Sequence, residues 1–363
     1  DDRLVQIKQV KGGGYLIAGT TNSGKNDQKA EDKFGGLDYW IIKTDKSGKV
    51  EWEKTYGGIY NDEPRTILET ENGFIIGGVS NSPTSGTKQK DNYGGYDLWI
   101  LDLDVKGNLL NEYVLGSEND DQLNEILIAD NKQGFTITGN TYSENGTGNL
   151  TVKSEKGSDF FVIKTDNRFK PTDQDSFDLE GSEFLTSTAV MPNKNLLLSG
   201  YKTDAKTNKK SYVSIQVNEK GEQVWEKELS TSGNDLLRKT VITRDGGLVF
   251  AGNSTGKNAQ YKTSTQGRDD YWVVKLGPKD EVKQPEIKIE AFPNPTDGFT
   301  QIVINHEYKE GVVNVFDLNG RLLHTEQLKH DMVAINLAGY AHGTYVINIK
   351  TDVVNTSVKV IKK

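Results

Sequence analysis

The sequence has no cysteine, two methionines and four histidines among 363 residues. Zero cysteine excludes disulfides, thiolate metal sites and cysteine nucleophiles. Such a composition is unusual for a secreted animal protein and unremarkable for a bacterial one. The histidines are His306, His324, His330 and His342, so none falls in the first 305 residues. That long stretch therefore has no Ser-His-Asp triad, no His-ligated zinc and no imidazole acid or base. Carboxylates remain as candidate catalysts. Long apolar runs are missing too. Uninterrupted runs such as Phe74-Ile-Ile76 and the leucines of Asn195-Leu-Leu-Leu198 are a few residues long, mean hydropathy is −0.63, and no window approaches the length that crosses a bilayer. Positive charge is in deficit: 44 Lys and Arg face 52 Asp and Glu, for a net charge of −8. That balance argues against general nucleic-acid binding, which needs a basic face.

Glycine is abundant, at 38 residues, and it punctuates a repeat. An apolar run ending in Gly occurs five times: Gly14-Tyr-Leu-Ile-Ala-Gly19, Gly73-Phe-Ile-Ile-Gly-Gly78, Gly134-Phe-Thr-Ile-Thr-Gly139, Asn195-Leu-Leu-Leu-Ser-Gly200 and Gly247-Leu-Val-Phe-Ala-Gly252. The intervals between starts are 59, 61, 61 and 52 residues. A second motif follows each: Asp38-Tyr-Trp-Ile-Ile-Lys43, Asp97-Leu-Trp-Ile-Leu-Asp102, Asp159-Phe-Phe-Val-Ile-Lys164, Ser211-Tyr-Val-Ser-Ile-Gln216 and Asp270-Tyr-Trp-Val-Val-Lys275. A third, more polar element carries an apolar anchor, as in Val50–Tyr56, Leu110–Leu115 and Val224–Leu229. A fourth precedes the next apolar run, as in Thr66–Thr70, Asn124–Ile128 and Lys239–Thr243.

These segments are rich in Val, Ile, Tyr, Trp and Thr, and Gly, Asn, Asp and Ser clusters separate them. They read as strands joined by hairpin turns. Four strands per repeat of this length is the arithmetic of a β-propeller blade. A single blade is apolar on both faces and is buried only when blades stack. The Gly after each apolar run permits close packing or a bulge near the axis. The expectation is an all-β chain with a propeller over residues 1–276, in repeats of approximately 3–60, 61–121, 122–182, 183–235 and 236–276. The fifth repeat stops after its third strand at Leu276. Either five blades close the ring, with a strand ahead of Asp1 completing the last, or further blades lie upstream. The second is favoured, with six to eight blades in all. The aromatics of the second motif, Tyr39, Trp40, Trp99, Phe160 and Trp272, are expected to pack between blades. A carbohydrate-binding aromatic platform is the alternative.

Composition shifts near Gly277. Four of the eight prolines are Pro278, Pro285, Pro293 and Pro295, so 277–290 reads as a linker. From Ala291 the alternations Gln301–Ile304, Val312–Phe316, Val333–Leu337, Thr344–Ile349 and Ser357–Ile361 predict a small Ig-like β-sandwich over 291–363. It has seven Lys and Arg and seven Asp and Glu, so the whole negative excess lies before it.

Four ordered elements of this unit carry a resemblance. They are Phe292-Pro-Asn-Pro-Thr-Asp-Gly298, Val315-Phe-Asp-Leu-Asn-Gly-Arg321, Leu337-Ala-Gly-Tyr-Ala-His-Gly-Thr-Tyr-Val346 and a lysine-tipped last strand. Together they resemble the type A C-terminal sorting domain of type IX secretion cargo from the Bacteroidota. The repeats before it resemble, more loosely, propellers attached to such domains. The resemblance implies a sorting motif of Pro293, Asn294, Pro295, Gly298, Asp317, Gly320, Gly343, Tyr345, Lys359, Lys362 and Lys363. It implies passage through the periplasm after a cleaved N-terminal signal, then through the outer-membrane translocon barrel. The outer-membrane shuttle protein is the expected partner. Lys359, Lys362 and Lys363 are expected to be free to meet an acidic receptor surface, or to serve as ordinary solubilising charge. Gliding bacteria of this phylum display such cargo, which implies a role in motility or attachment.

Chemistry is sparse. Gly12-Gly-Gly14 lacks the Lys-Ser/Thr of a phosphate loop and reads as a turn. Asp102-Leu-Asp104 with Gly107 hints at a calcium loop, but Lys106 holds a ligand position and no Glu closes it. The acidic junctions Asn61-Asp-Glu63, Glu118-Asn-Asp-Asp121 and Asn234-Asp235 suit turn capping better than cation binding. No cofactor is expected beyond a weak case for calcium. The leading expectation is a non-enzymatic surface protein with an interaction propeller. A glycan-binding or glycan-hydrolysing propeller using carboxylates is the alternative.

Overall fold

The computed structural model describes residues 1–129, 133–155, 157–257, 259, 261–262, 264–277, 289–304, 308–352 and 355–363. Among these there are 26 strands and no helix. The chain divides into two units, Asp1–Pro278 and Lys279–Lys363. Pro278, Pro285 and most of the expected linker lie outside the described residues, as does His306.

The first unit holds five antiparallel sheets in chain order. The first is β1 (Asp2–Gln9), β2 (Tyr15–Thr21), β3 (Asp38–Thr44) and β4 (Val50–Tyr56). The second is β5 (Asp62–Glu69), β6 (Gly73–Ser80), β7 (Asp97–Asp104) and β8 (Leu109–Leu115). The third is β9 (Asp121–Ile128), β10 (Phe135–Thr141), β11 (Asp159–Thr165) and β12 (Pro171–Phe177). The fourth is β13 (Gly181–Val190), β14 (Leu196–Asp204), β15 (Lys210–Val217) and β16 (Gln223–Leu229). The fifth has three strands, β17 (Asp235–Ile242), β18 (Leu248–Ser254) and β19 (Asp270–Leu276).

The first strands of consecutive sheets adjoin, β1 with β5, β5 with β9, β9 with β13 and β13 with β17. A separate apolar core fills each gap between neighbouring sheets. This is the arrangement of propeller blades. No extensive packing joins the fifth sheet to the first among the described residues.

Burial follows position in the blade. β6 is buried along its whole length because sheets cover both its faces. β12, at an outer edge, buries only Phe177. Each blade also carries a bulge in its first strand, opposite the recurrent glycine. A Cβ at Gly139 would meet the Gln122 carbonyl at 2.0 Å, and one at Gly200 the Phe184 carbonyl at 1.9 Å. No side chain fits there, which is why the apolar run ends on Gly in all five repeats.

The hairpin between third and fourth strands is built alike in four blades. Asp45, Asp104, Asp166 and Asn218 each accept two backbone N–H groups through Oδ1. Asp104, part of the calcium hint, is thus one of four equivalent turn-formers.

The second unit is a two-layer sandwich. One sheet is β20 (Ile289–Phe292), β21 (Phe299–Ile304) and β24 (Met332–Asn336). The other orders β23 (Leu322–Gln327), β22 (Gly311–Phe316), β25 (Gly343–Thr351) and β26 (Asn355–Lys362). Ile302, Val313, Val315, Ile347, Ile349 and Val360 form its core.

Candidate functional site

The second-motif aromatics sit at two consecutive positions, which point to opposite faces of the blade. Trp40, Trp99 and Trp272 occupy the third position of the motif, and Phe160 the second. Each interface pairs the second position of one blade with the third position of the next. Tyr39 packs against Trp99 with ring centroids 4.9 Å apart and the rings tilted by 53°, and its hydroxyl donates to the Trp99 carbonyl at 3.1 Å. Tyr212 and Trp272 repeat this at 4.6 Å and 3.2 Å. Leu98 meets the core that holds Phe161, and Phe160 the core that holds Val213.

This corrects one expectation: Trp40 does not lie in an inter-blade core. Trp40 is half-buried on the outer face of the first blade, and on the outer face of the fifth Tyr271 is 92% exposed. Buried Trp99 and half-buried Trp40 direct their indole N–H groups to the fourth strand of their own sheets, to Glu112 at 3.2 Å and Glu53 at 3.3 Å. Glu112 in turn accepts from the Gln89 backbone at 2.9 Å, and Glu53 from that of Ala30. The tryptophans therefore anchor the long loops on the blade rim.

Those loops also carry buried charged residues. Lys29, Lys88 and Lys262 are buried. Each closes a tight loop by pairing with Asn26, Ser85 or Ala259. Lys88 Nζ donates to Asn92 at 2.9 Å and to the Lys90 carbonyl. Lys262 pairs with Asp270 at 3.1 Å. In the third blade Leu150 and Val152 fill that role with apolar side chains. The available signal was a Lys nine residues ahead of Asp38 and of Asp97.

The recurrent Asp of the second motif and the first residues of the next blade meet at each junction. Asp38 and Asp62, then Asp97 and Asp121, are fully buried. Each Oδ2 holds the backbone N–H four residues earlier, on Phe34, Gly58, Tyr93 and Ser117. Each Oδ1 has no hydrogen-bond partner. Burial pushes Asp38 up to about 6, with the Asp62 charge adding to it. Burial likewise pushes Asp97 to about 7 and Asp121 to about 6. At the fourth junction Ser211 replaces the Asp, and both Asp235 oxygens are occupied by Thr231.

The third junction departs from this pattern. Glu183 stands in the Asp62 and Asp121 position, as shown by its backbone N–H donating across the junction to Ser158 as theirs do to Leu37 and Tyr96. It is fully buried, yet neither carboxylate oxygen has a partner. One ligand oxygen from each of Asp159, exposed Asp178 and Glu183 lies within 4.8 Å of the others. Burial first, then the Asp159 and Asp178 charges, pushes Glu183 up to about 8.

In the second unit the first part of the sorting motif clamps the last strand. The Phe292–Pro293 and Asn294–Pro295 peptide bonds are cis. Asn294 Nδ2 donates to the Lys359 carbonyl at 2.7 Å, and its Oδ1 accepts the Ile361 N–H at 2.9 Å. Thr296 continues this, donating to the Ile361 carbonyl at 2.8 Å and accepting from Lys363 at 2.9 Å. Thr300 Oγ1 donates to the Pro293 carbonyl at 3.0 Å, and Gly298 accepts the Leu337 N–H at 2.6 Å. Asp317 and Gly320 shape the β22–β23 turn, with Asp317 Oδ1 accepting from Asn319 and Arg321. Buried Tyr345, two residues after Gly343, donates its hydroxyl to the Ala341 carbonyl.

Lys362 is a further correction. Side chains alternate along β26, so 360 and 362 point inward while 359, 361 and 363 face solvent. Lys362 is 8% exposed, and its Nζ donates to the carbonyls of Ala338, at 2.9 Å, and Tyr340. Only Lys359 and Lys363 of the three are exposed.

Residues 290–363 match the family model of the secretion system C-terminal sorting domain. The second unit is a sorting domain. The chain is therefore cargo of the type IX secretion system, exported to the cell surface or the extracellular space. No curated protein matches the chain. Solved structures similar to it include the extracellular domain of a putative hybrid two-component system from B. thetaiotaomicron. That match has 11% identity and a TM-score of 0.44, and covers 99% of this chain and 50% of that one. The chain thus spans half the length of that protein. The β-propeller domain of the Trilobed protease from Pyrococcus furiosus matches at 10% identity and a TM-score of 0.39, over 99% and 93% of the two chains. Scores this low carry no argument, and the propeller ahead of the sorting domain is assigned from its own sheets and cores.

Proposed function

We propose that the propeller is a non-enzymatic interaction scaffold, displayed by the sorting domain for adhesion to a protein or surface partner. The observation that carries this reading is the construction of the rim. Its long loops are held by buried lysines and by Trp–Glu–backbone links, which suits a preorganised recognition surface. Exposed Phe34, Tyr60 and Tyr93 supply aromatic anchors in and beside these loops. The junction carboxylates Asp38, Asp62, Asp97 and Asp121 are sealed from solvent, which weighs against their use on a substrate. A role in gliding or attachment belongs to the same reading.

For export, the shuttle protein and the translocon barrel engage residues 291–363. Lys359 and Lys363 offer charge, and Phe292, Phe299, Val303 and Met332 offer apolar surface. Strand alternation and register set those four on the outer face of the three-stranded sheet. The second reading, a glycan-binding propeller, is favoured by the same rim aromatics. A glycan array and a hydrolase panel on the full chain separate the two. Scaffold function gives no turnover and no glycan binding. Turnover lost on carboxylate substitution defeats it, and saturable glycan binding lost in Tyr60→Ala and Tyr93→Ala selects the second reading.

A further inference from the structure

We propose that Asp159, Asp178 and Glu183 bind one divalent, oxygen-seeking cation of the calcium class between the third and fourth blades. They are the one group of three or more such ligand residues found among the described residues. Their positions follow from the repeat. Asp159 opens β11 and uses Oδ2 to accept the Glu155 N–H at 3.1 Å, leaving Oδ1 unpaired. Asp178 lies in the connection from β12 to β13, where its Oδ1 accepts the Glu180 N–H at 2.8 Å. Glu183 stands where the earlier junctions have Asp.

The extra methylene is the key difference. Asp62 and Asp121 reach back to the N–H four residues earlier, on Gly58 and Ser117. The equivalent group here is on Leu179, whose N–H lies near enough to lower the Glu183 pKa somewhat, yet neither Glu183 oxygen has a partner at hydrogen-bond geometry. It is 0% exposed, and one of its oxygens is gathered with those of Asp159 and Asp178. Leaving a fully buried carboxylate unpaired beside two others is costly unless a proton or a cation compensates.

The nearby cation is already committed. Lys202 pairs with Glu228 at 2.8 Å and donates to the Leu179 carbonyl at 3.2 Å. Oxygens within 4.8 Å of one another lie close to the ligand spacing of one calcium ion, whose bonds are about 2.3–2.6 Å and which takes roughly six to eight ligands, so small side-chain shifts bring all three onto it. Exposed Asp178 marks the side from which water completes the shell. An ion here ties β11 of the third blade to β13 of the fourth. The fourth junction has no comparable demand, because Ser211 removes one carboxylate and Thr231 satisfies the other.

Calorimetric titration of calcium into the chelator-treated full chain tests this. The expected result is one ion per chain, with a Kd on the order of 10⁻⁴–10⁻³ M, the range of extracellular calcium modules. The melting temperature should rise with added calcium by mass action. Glu183→Gln keeps the shape of the protonated side chain, and Asp178→Asn changes only an exposed one, so both should fold, as melting curves can show. Each should weaken binding by at least the roughly 10–100-fold that follows loss of an outer-shell partner. No saturable calcium binding by the parent chain, or parent affinity retained by either folded variant, overturns the proposal.

Discussion

Carboxylates buried in pairs give this propeller an unusual response to pH. Asp38, Asp97 and Asp121 are raised to about 6, 7 and 6, with burial as the main cause. In the unfolded chain an Asp titrates near 4. Between these values the native state binds more protons than the unfolded state, so stability falls as pH rises. The contribution is fully present below about 4 and is lost through 6 to 7. Buried Lys88 lowers Asp97 without reversing the direction. Melting should therefore occur at a higher temperature at pH 5 than at pH 8, and Asp97→Asn should flatten that slope. A melting temperature that climbs from pH 5 to pH 8 would contradict it. At this level the sequence was half legible. The recurrent Asp was visible, as was its loss at Ser211. That its partner is the first residue of the next blade, or that Glu183 breaks the series, depends on contacts between repeats that no local pattern records.

Blades are held by heterologous contacts, in which the second-motif aromatic of one sheet meets the next position of its neighbour. Trp99 is fully buried in this way against Tyr39. Trp99→Ala should cost about 3–5 kcal/mol, the range for emptying an aromatic core site. Tyr39→Phe removes only the hydroxyl bond to the Trp99 carbonyl and should cost about 1 kcal/mol. Urea unfolding measures both, and equal losses would mean that packing is not what Trp99 supplies. Strand identity was legible where burial was strong. Neighbouring blades cover both faces of β6, β10 and β14, and one face of β2 and β18, and the apolar runs of all five stand out. β12, with the sequence Pro-Thr-Asp-Gln-Asp-Ser-Phe, and β23, with Leu-Leu-His-Thr-Glu-Gln, did not. Both are edge strands with little to bury, so no alternation is imposed on them. Parity also explains Lys362: its place on the terminal strand suggested a free charge, but one step along β26 exchanges solvent for core.

The molecule joins a cargo unit to a unit that addresses it. All of the net negative charge lies before residue 291, and the sorting domain is balanced. The Pro293–Gly298 segment spends its polar groups on clamping β26, so the motif builds the C-terminal edge and leaves Lys359 and Lys363 outside. The ordered motifs made this unit legible from sequence, because a binding handle shared among cargoes keeps a local signature. The propeller's partner left no such mark, since rim loops vary within one scaffold. Export of the chain lacking residues 290–363 decides the account. With its sheets and inter-blade cores intact, the truncated protein should fold and accumulate in the periplasm, with none at the cell surface or in the medium. Surface display equal to that of the full chain would contradict it.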